Sequence, residues 1–220
     1  LAFTYLGGSK SDQADSIVIA SDGSVFILGE TESSGLATGG AYDRSNGILQ
    51  DVFVAKFDPT LSTLMVCTYF GNTGGEMAFG MAFGSENSIY ITGRTTSDGM
   101  ATSGSAQGER AGTEAFVARF NYALTELKSC TYFGGSGSDE GATVATASDG
   151  SVYVVGMTAS SGLAISGAYQ ESIGGGNDAF IAKYDPTLST LLACTYLGGS
   201  GYDQARSILI GGDDEDIYVS

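Results

Sequence analysis

One pattern returns at a fixed period, and it constrains the fold more than any other feature of the chain. Thr4-Tyr5-Leu6-Gly7-Gly8-Ser9 recurs as Thr68-Tyr69-Phe70-Gly71, as Thr131-Tyr132-Phe133-Gly134-Gly135-Ser136 and as Thr195-Tyr196-Leu197-Gly198-Gly199-Ser200, at spacings of 64, 63 and 64 residues. Phe57-Asp58-Pro59-Thr60-Leu61-Ser62-Thr63-Leu64 comes back nearly intact as Tyr184-Asp185-Pro186-Thr187-Leu188-Ser189-Thr190-Leu191, and residues 120–127 keep its length between the two. Self-similarity of this kind marks a tandem array, in which each unit is one supersecondary motif unable to bury its faces alone.

Each unit carries four strand signals. In the third unit, residues 142–147 form a short run rich in small and β-branched residues, and Ser148-Asp149-Gly150-Ser151 follows as a hairpin turn. Val152-Tyr153-Val154-Val155 is the second strand, a Gly/Ser-rich connection runs to about Asn177, and residues 179–184 form the third. Asp185-Pro186-Thr187-Leu188 is a turn that suits the fixed φ of proline, and residues 191–197 form the fourth strand. No stretch keeps a helical period. Gly29, Gly93 and Gly156 all follow the second strand, where a side chain would block close blade packing or a sharp exit.

Four strands per repeat predict an all-β protein, a β-propeller built of four-stranded antiparallel blades. The expected division is an outer strand in residues 1–8, complete blades over 9–72, 73–135 and 136–199, and a partial blade over 200–220. Lettering the strands a to d from the axis outward, the chain reads d, three times abcd, then ab. Three outcomes fit: a fragment of a longer propeller, a ring completed by a second chain, or a polymer closed through open strand edges. The chain begins at Leu1 and stops at Ser220 inside strand patterns and shows no signal-peptide pattern, so a processed product or a piece of a longer polypeptide is expected.

The signature is Tyr-Leu-Gly-Gly-Ser, a carboxylate, a strand-Asp-Gly-strand hairpin, Ala-Phe-Val/Ile-Ala-Lys and Asp-Pro. Residues 195–203, 149–156 and 178–186 carry it best, and it resembles the bacterial SBBP family of β-propeller repeats over essentially the whole chain. That resemblance implies a propeller fold and a secreted or surface-attached location. It implies no single activity, because propellers host many functions.

Composition narrows the chemistry. Histidine is absent from the 220 residues, which removes Ser-His-Asp and Cys-His catalysis and every histidine-containing metal site. Nine basic against 25 acidic residues give a net charge of −16, so nucleic acid and anionic membrane are poor partners. No apolar run is long enough to span a bilayer, so no membrane insertion is expected.

Topology singles out Asp12, Glu76, Asp139 and Asp203, equivalent residues in the d–a connections, expected as an arc near the axis. With neighbouring backbone carbonyls they offer the hard oxygen ligands of Ca²⁺. The competing reading ties each carboxylate to backbone N–H groups of its own turn, and repetition favours it. Asp213-Asp214-Glu215-Asp216 lacks the alternation of an EF-hand and reads as a solvated acidic turn. Cys67, Cys130 and Cys194 occupy one repeat position, too far apart to bridge, and are expected to be free and buried. Lys56, Arg119 and Lys183 are expected to pair across strands or between blades. Tyr5, Tyr69, Tyr132 and Tyr196 are expected to pack with the hydroxyl near solvent.

The b–c loops, residues 31–50, 95–113 and 158–177, differ most between copies, and Tyr42, Arg44, Arg110, Tyr169 and Gln170 are their candidate interaction residues. The leading functional expectation is a non-enzymatic extracellular or cell-surface scaffold for interaction, adhesion or assembly with a protein or glycan partner, self-association by strand pairing included. The alternatives are a carbohydrate- or calcium-binding module and, further off, a polysaccharide hydrolase or lyase using paired carboxylates.

Overall fold

The structure is a computed structural model and describes residues 2–211 and 216–220. It is all-β: three four-stranded antiparallel sheets follow one another along the chain, and a two-stranded ribbon ends it. The first sheet is β1 (Asp12–Ile19), β2 (Val25–Thr31), β3 (Asp51–Phe57) and β4 (Leu64–Phe70). The second is β5 (Glu76–Gly84), β6 (Ser88–Thr95), β7 (Glu114–Asn121) and β8 (Leu127–Phe133). The third is β9 (Asp139–Thr146), β10 (Val152–Thr158), β11 (Asp178–Tyr184) and β12 (Leu191–Leu197), and the ribbon is β13 (Ile208–Gly211) with β14 (Asp216–Val219). Within each sheet, spatial order follows chain order, so every connection is a hairpin or a longer antiparallel return. Among the described residues the stack does not close into a ring. Residues 2–8, expected as an outer strand, belong to no sheet; a strand d pairs with a strand c, and among the described residues they have no such partner. Asp213, Asp214 and Glu215 lie outside the described residues.

The repeat explains how the sheets stack. Side chains alternate across each strand, so each sheet presents two apolar faces. One face of the first sheet, with Phe26, Leu28, Val52, Val54 and Phe70, meets Met81, Ile89, Ile91, Phe116 and Phe120 of the second. The register then repeats: Tyr90, Val117 and Phe133 of the second sheet meet Val144, Val152, Val154, Phe180 and Tyr184 of the third. The first strand of each following sheet does most of the docking, β5 against β1, β2 and β3, and β9 against β5, β6 and β7.

Local chemistry sets the turns. Gly23 and Gly150 take φ of 82° and 85° in the a–b hairpins, where Asp22 and Asp149 accept the backbone N–H of Ser24 and Ser151. In the c–d turns Leu61, Leu124 and Leu188 take φ of 58°, 54° and 61°, an unfavourable region for leucine. Leu124 and Leu188 are fully buried, and each carbonyl accepts an N–H from the preceding repeat, of Tyr42 and Ala106. Packing and a hydrogen bond between repeats thus hold a strained turn in place.

The Asp58 carboxylate organises the first of these turns. The Thr60 hydroxyl, then the N–H groups of Thr63 and Thr60, hold it down at about 2. Its folded value lies below the unfolded one, so its contribution to stability is complete above about pH 4 and is lost as pH falls towards 2. The stability difference between the wild type and Asp58→Ala is therefore expected to shrink over that window, with the Asp58 carboxyl carbon titrating near 2 by NMR. A midpoint at the ordinary aspartate value would contradict the assignment.

The tyrosine expectation is corrected. The hydroxyls of Tyr69, Tyr132 and Tyr196 are buried rather than near solvent, and each clamps a b–c loop. Tyr132 Oη donates to the Ser97 carbonyl (2.8 Å) and accepts the Met100 N–H (2.9 Å); Tyr69 does the same with Ser33 and Leu36, and Tyr196 with Ser160 and Leu163. Tyr5 is exposed, and among the described residues its hydroxyl clamps no loop. Tyr132→Phe leaves a buried donor and a buried acceptor unpaired and is expected to cost about 2 kcal/mol in urea denaturation. An unchanged midpoint would show that the loop finds other partners.

The cysteine expectation holds: Cys67, Cys130 and Cys194 are free and buried. Burial pushes the Cys67 and Cys194 thiols up to about 12, which removes them as nucleophiles. The strand-c cations pair across strands, though with aromatic rings as well as acids. Lys56 lies opposite Phe26, Arg119 opposite Tyr90 and Lys183 opposite Tyr153, each over the facing ring.

Candidate functional site

The d–a turns and b–c loops meet at one end of the sheets, and the repeated carboxylates gather there. Asp12 accepts the Gly8 N–H (2.8 Å) and the hydroxyls of Thr31 and Ser33. Asp139 repeats the arrangement with Gly135, Thr158 and Ser160. Glu76 takes the Asn72 N–H and the Thr95 hydroxyl, and Asp203 the Gly199 N–H. The carboxylate closes its own turn and ties it to the end of strand b, the structural reading of the motif. These four residues sit in successive repeats and do not share a point. Among the described residues no three cysteine, histidine or carboxylate side chains converge to hold a metal.

What the structure does bring together is a pair of acids at each junction, one from either side. The N–H groups of Glu76, Asp139 and Asp203 donate to the carbonyls of Gln50, Thr113 and Asn177, the residues just before strand c. The next residue in each case is an acid: Asp51, Glu114 and Asp178. A Cβ placed on Gly71 would lie 2.5 Å from both Asp51 Oδ1 and Glu76 Oε2, so the two carboxylates are close neighbours. Burial first, and then the charges of Glu76 and Asp43, push the Asp51 carboxyl up to about 6, against the Gly47 N–H that holds it down. In the second junction burial likewise raises Glu114, with Asp139 adding to it. The sequence places these acids five residues before a cation, but within one strand; their true neighbour belongs to the following repeat.

The loop candidates separate into structural and exposed residues. Gln170 is structural: its amide donates to Asp178 Oδ2 (2.8 Å) and the Ser172 carbonyl, and its oxygen accepts the Gly198 N–H. Arg110 binds Asp98 (2.9 Å) and the Gly112 carbonyl, bracing its own loop. Tyr42 packs edge-on against Phe120 of the next sheet. Its repeat equivalent Tyr169 is 88 % exposed. Arg44 is exposed.

Two series depart from the repeat, and pairwise alignment of the repeats would have found both. Glu30, Arg94 and Met157 precede the last residue of strand b. Arg94 bridges to Glu140 at 3.4 Å and directs Nε and Nη2 at the Met77 sulfur. Glu30 Oε2 and Asp15 Oδ2 are buried without a hydrogen-bond partner. The second series is Asp43, Gln107 and Gln170, in which the first repeat has a carboxylate where the others have an amide.

Comparison with protein-family models finds no matching family, and comparison with curated protein sequences finds no match. Among the described residues no helix is long and apolar enough to cross a membrane.

Proposed function

We propose that this chain is a run of β-propeller repeats of the SBBP kind, working outside the cell or on its surface as a non-enzymatic scaffold for interaction, adhesion or assembly. One observation carries the reading: on the face of the first sheet turned away from the second, Phe53 and Phe57 are buried but the apolar side chains of β1 are exposed. Ile17 stands at the register position of Met81 and Val144. Those two are 6 % and 3 % exposed beneath the preceding sheet, whereas Ile17 is 62 % and Ile19 69 % exposed. A cleft of about 430 Å³ runs between this face and residues 2–6. Contiguous exposed apolar surface of this kind is what docking sites present. At the other end β14 pairs, among the described residues, with β13 alone, and an unpaired strand edge offers backbone groups for pairing.

Light scattering across the micromolar range tests this. The wild type is expected to gain mass with concentration, and Ile17→Lys with Ile19→Lys to hold at the mass of one chain. A wild type that stays at one chain throughout would exclude self-association and leave a different protein or glycan as the partner to be sought. A second reading, ligand binding by the scaffold, rests on the departure from repeat symmetry at Glu30 and Arg94. An array of glycans screened against the wild type and Arg94→Ala tests that reading.

A further inference from the structure

We propose that the junction between the first and second sheets binds a hard divalent cation, calcium being the best match, between Asp51 and Glu76. This site differs from an axial arc of d–a carboxylates: it takes one acid from each of two consecutive repeats, and it occurs at one junction.

The argument compares the three junctions. In the second, the Gln107 amide donates to Glu114 Oε2 (2.6 Å) while its oxygen accepts the Gly134 N–H. In the third, Gln170 does the same for Asp178 and Gly198. A neutral amide thus sits against each strand-c acid and lowers the local charge density. In the first junction that position is Asp43, which has no proton to donate and turns its Oδ1 to the Ser45 N–H. Asp51 keeps one donor, the Gly47 N–H on Oδ2. Asp51 is 1 % exposed, and its Oδ1 accepts no hydrogen bond. That oxygen points to the place shared with Glu76 Oε2. Asp178 also has an unpartnered Oδ1, but its Oδ2 holds two donors, Gly174 N–H and the Gln170 amide.

Asp51 and Glu76 therefore meet here, with the charge of Asp43 acting on Asp51, and no lysine or arginine answers them: none of the ion pairs among the described residues includes Asp43, Asp51 or Glu76. A cation resolves the conflict. A Cβ on Gly47 would meet Asp51 Oδ1 and the Asn72 carbonyl together, so a neutral backbone oxygen completes the near side. Asn72 is exposed, which opens the remaining coordination positions to water. Carboxylate, carbonyl and water oxygens in an irregular cage suit Ca²⁺, with its six to eight flexible ligands, better than Mg²⁺ with its strict octahedron.

The test is calorimetric titration of the whole chain with Ca²⁺ at pH 8, with thermal melts in Ca²⁺ and in chelator. The wild type is expected to bind one tight equivalent and to melt higher in Ca²⁺. Asp51→Asn is expected to weaken that equivalent by at least about ten-fold, as loss of a charged ligand does. Asp43→Gln, which installs the amide of the other junctions, is expected to raise the melting temperature in chelator and to reduce the gain from Ca²⁺. Glu114→Gln at the second junction is expected to leave binding unchanged. No saturable binding by the wild type would overturn the proposal. Binding that survives both Asp51→Asn and Asp43→Gln would overturn it too, by placing the cation elsewhere.

Discussion

Gly93→Ala is expected to cost about 3 kcal/mol or more, at the upper end of what overpacking a well-packed interior does. The position lies inside β6, opposite a register shift in β5 between Ala78 and Gly80. There the β5 backbone bulges toward its neighbour, and a Cβ on Gly93 would fall within the radius of the Met77 carbonyl oxygen and against Ala78 Cα. Neither atom is the end of a flexible side chain, so relief requires the strands to part. Gly29 and Gly156 meet the carbonyls of Gln13 and Glu140 in the same way. The obstacle is thus strand a of the same sheet, and the glycines sit within strand b; the sequence-based expectation of a blade-to-blade clearance or a sharp exit is replaced. Equilibrium denaturation of the three alanine variants checks this. A change below about 0.5 kcal/mol, the ordinary range of a surface substitution, would show that the bulge relaxes freely.

Phe116→Ala is expected to cost about 3–5 kcal/mol, the usual range for deleting a buried phenylalanine. The ring is fully buried on the face of the second sheet that meets the first, and its centroid lies 5.2 Å from that of Phe70. Removing it opens a void between two sheets whose backbones are each fixed by three ladders. The informative control is Ile17→Ala, on the equivalent face of the first sheet, which is expected to stay within about 0.5 kcal/mol in the single-chain form. Equal losses at the two sites would mean that the first face is covered after all.

Much of this fold can be read from the amino-acid sequence, because the repeat supplies the comparison that a single copy lacks. The four strands of the third unit are found where the alternation and the Asp-Gly and Asp-Pro turns place them. The shared repeat position of the three cysteines correctly marks a buried site. What stays hidden depends on contacts between residues far apart in sequence. Whether the Tyr132 hydroxyl faces water or the loop at Ser97 depends on how residues 97–100 fold back across β8, and nothing in the Thr-Tyr motif records it. Asp12 and Asp139 look alike in sequence as turn residues or as ligands, and only their hydrogen bonds to Thr31 and Thr158 separate the two. The acid pairs are invisible within a repeat because their members come from different repeats. The exchange of Asp43 for Gln107 and Gln170, by contrast, is legible once the loops are aligned on the Thr68, Thr131 and Thr195 hydroxyls that accept their backbone N–H groups.

The left-handed leucine turns have a consequence for how the molecule comes apart. A turn that is strained alone and secured by the preceding repeat makes each unit's stability conditional on its neighbour, as in a chain of coupled spins. The second repeat is gripped on both sides, through Leu124 and through Ala106. That double grip is expected to make the amide protons of β6 and β7 slow to exchange. Length becomes a stabilising variable in its own right: each junction in such an array adds a grip that neither repeat has alone.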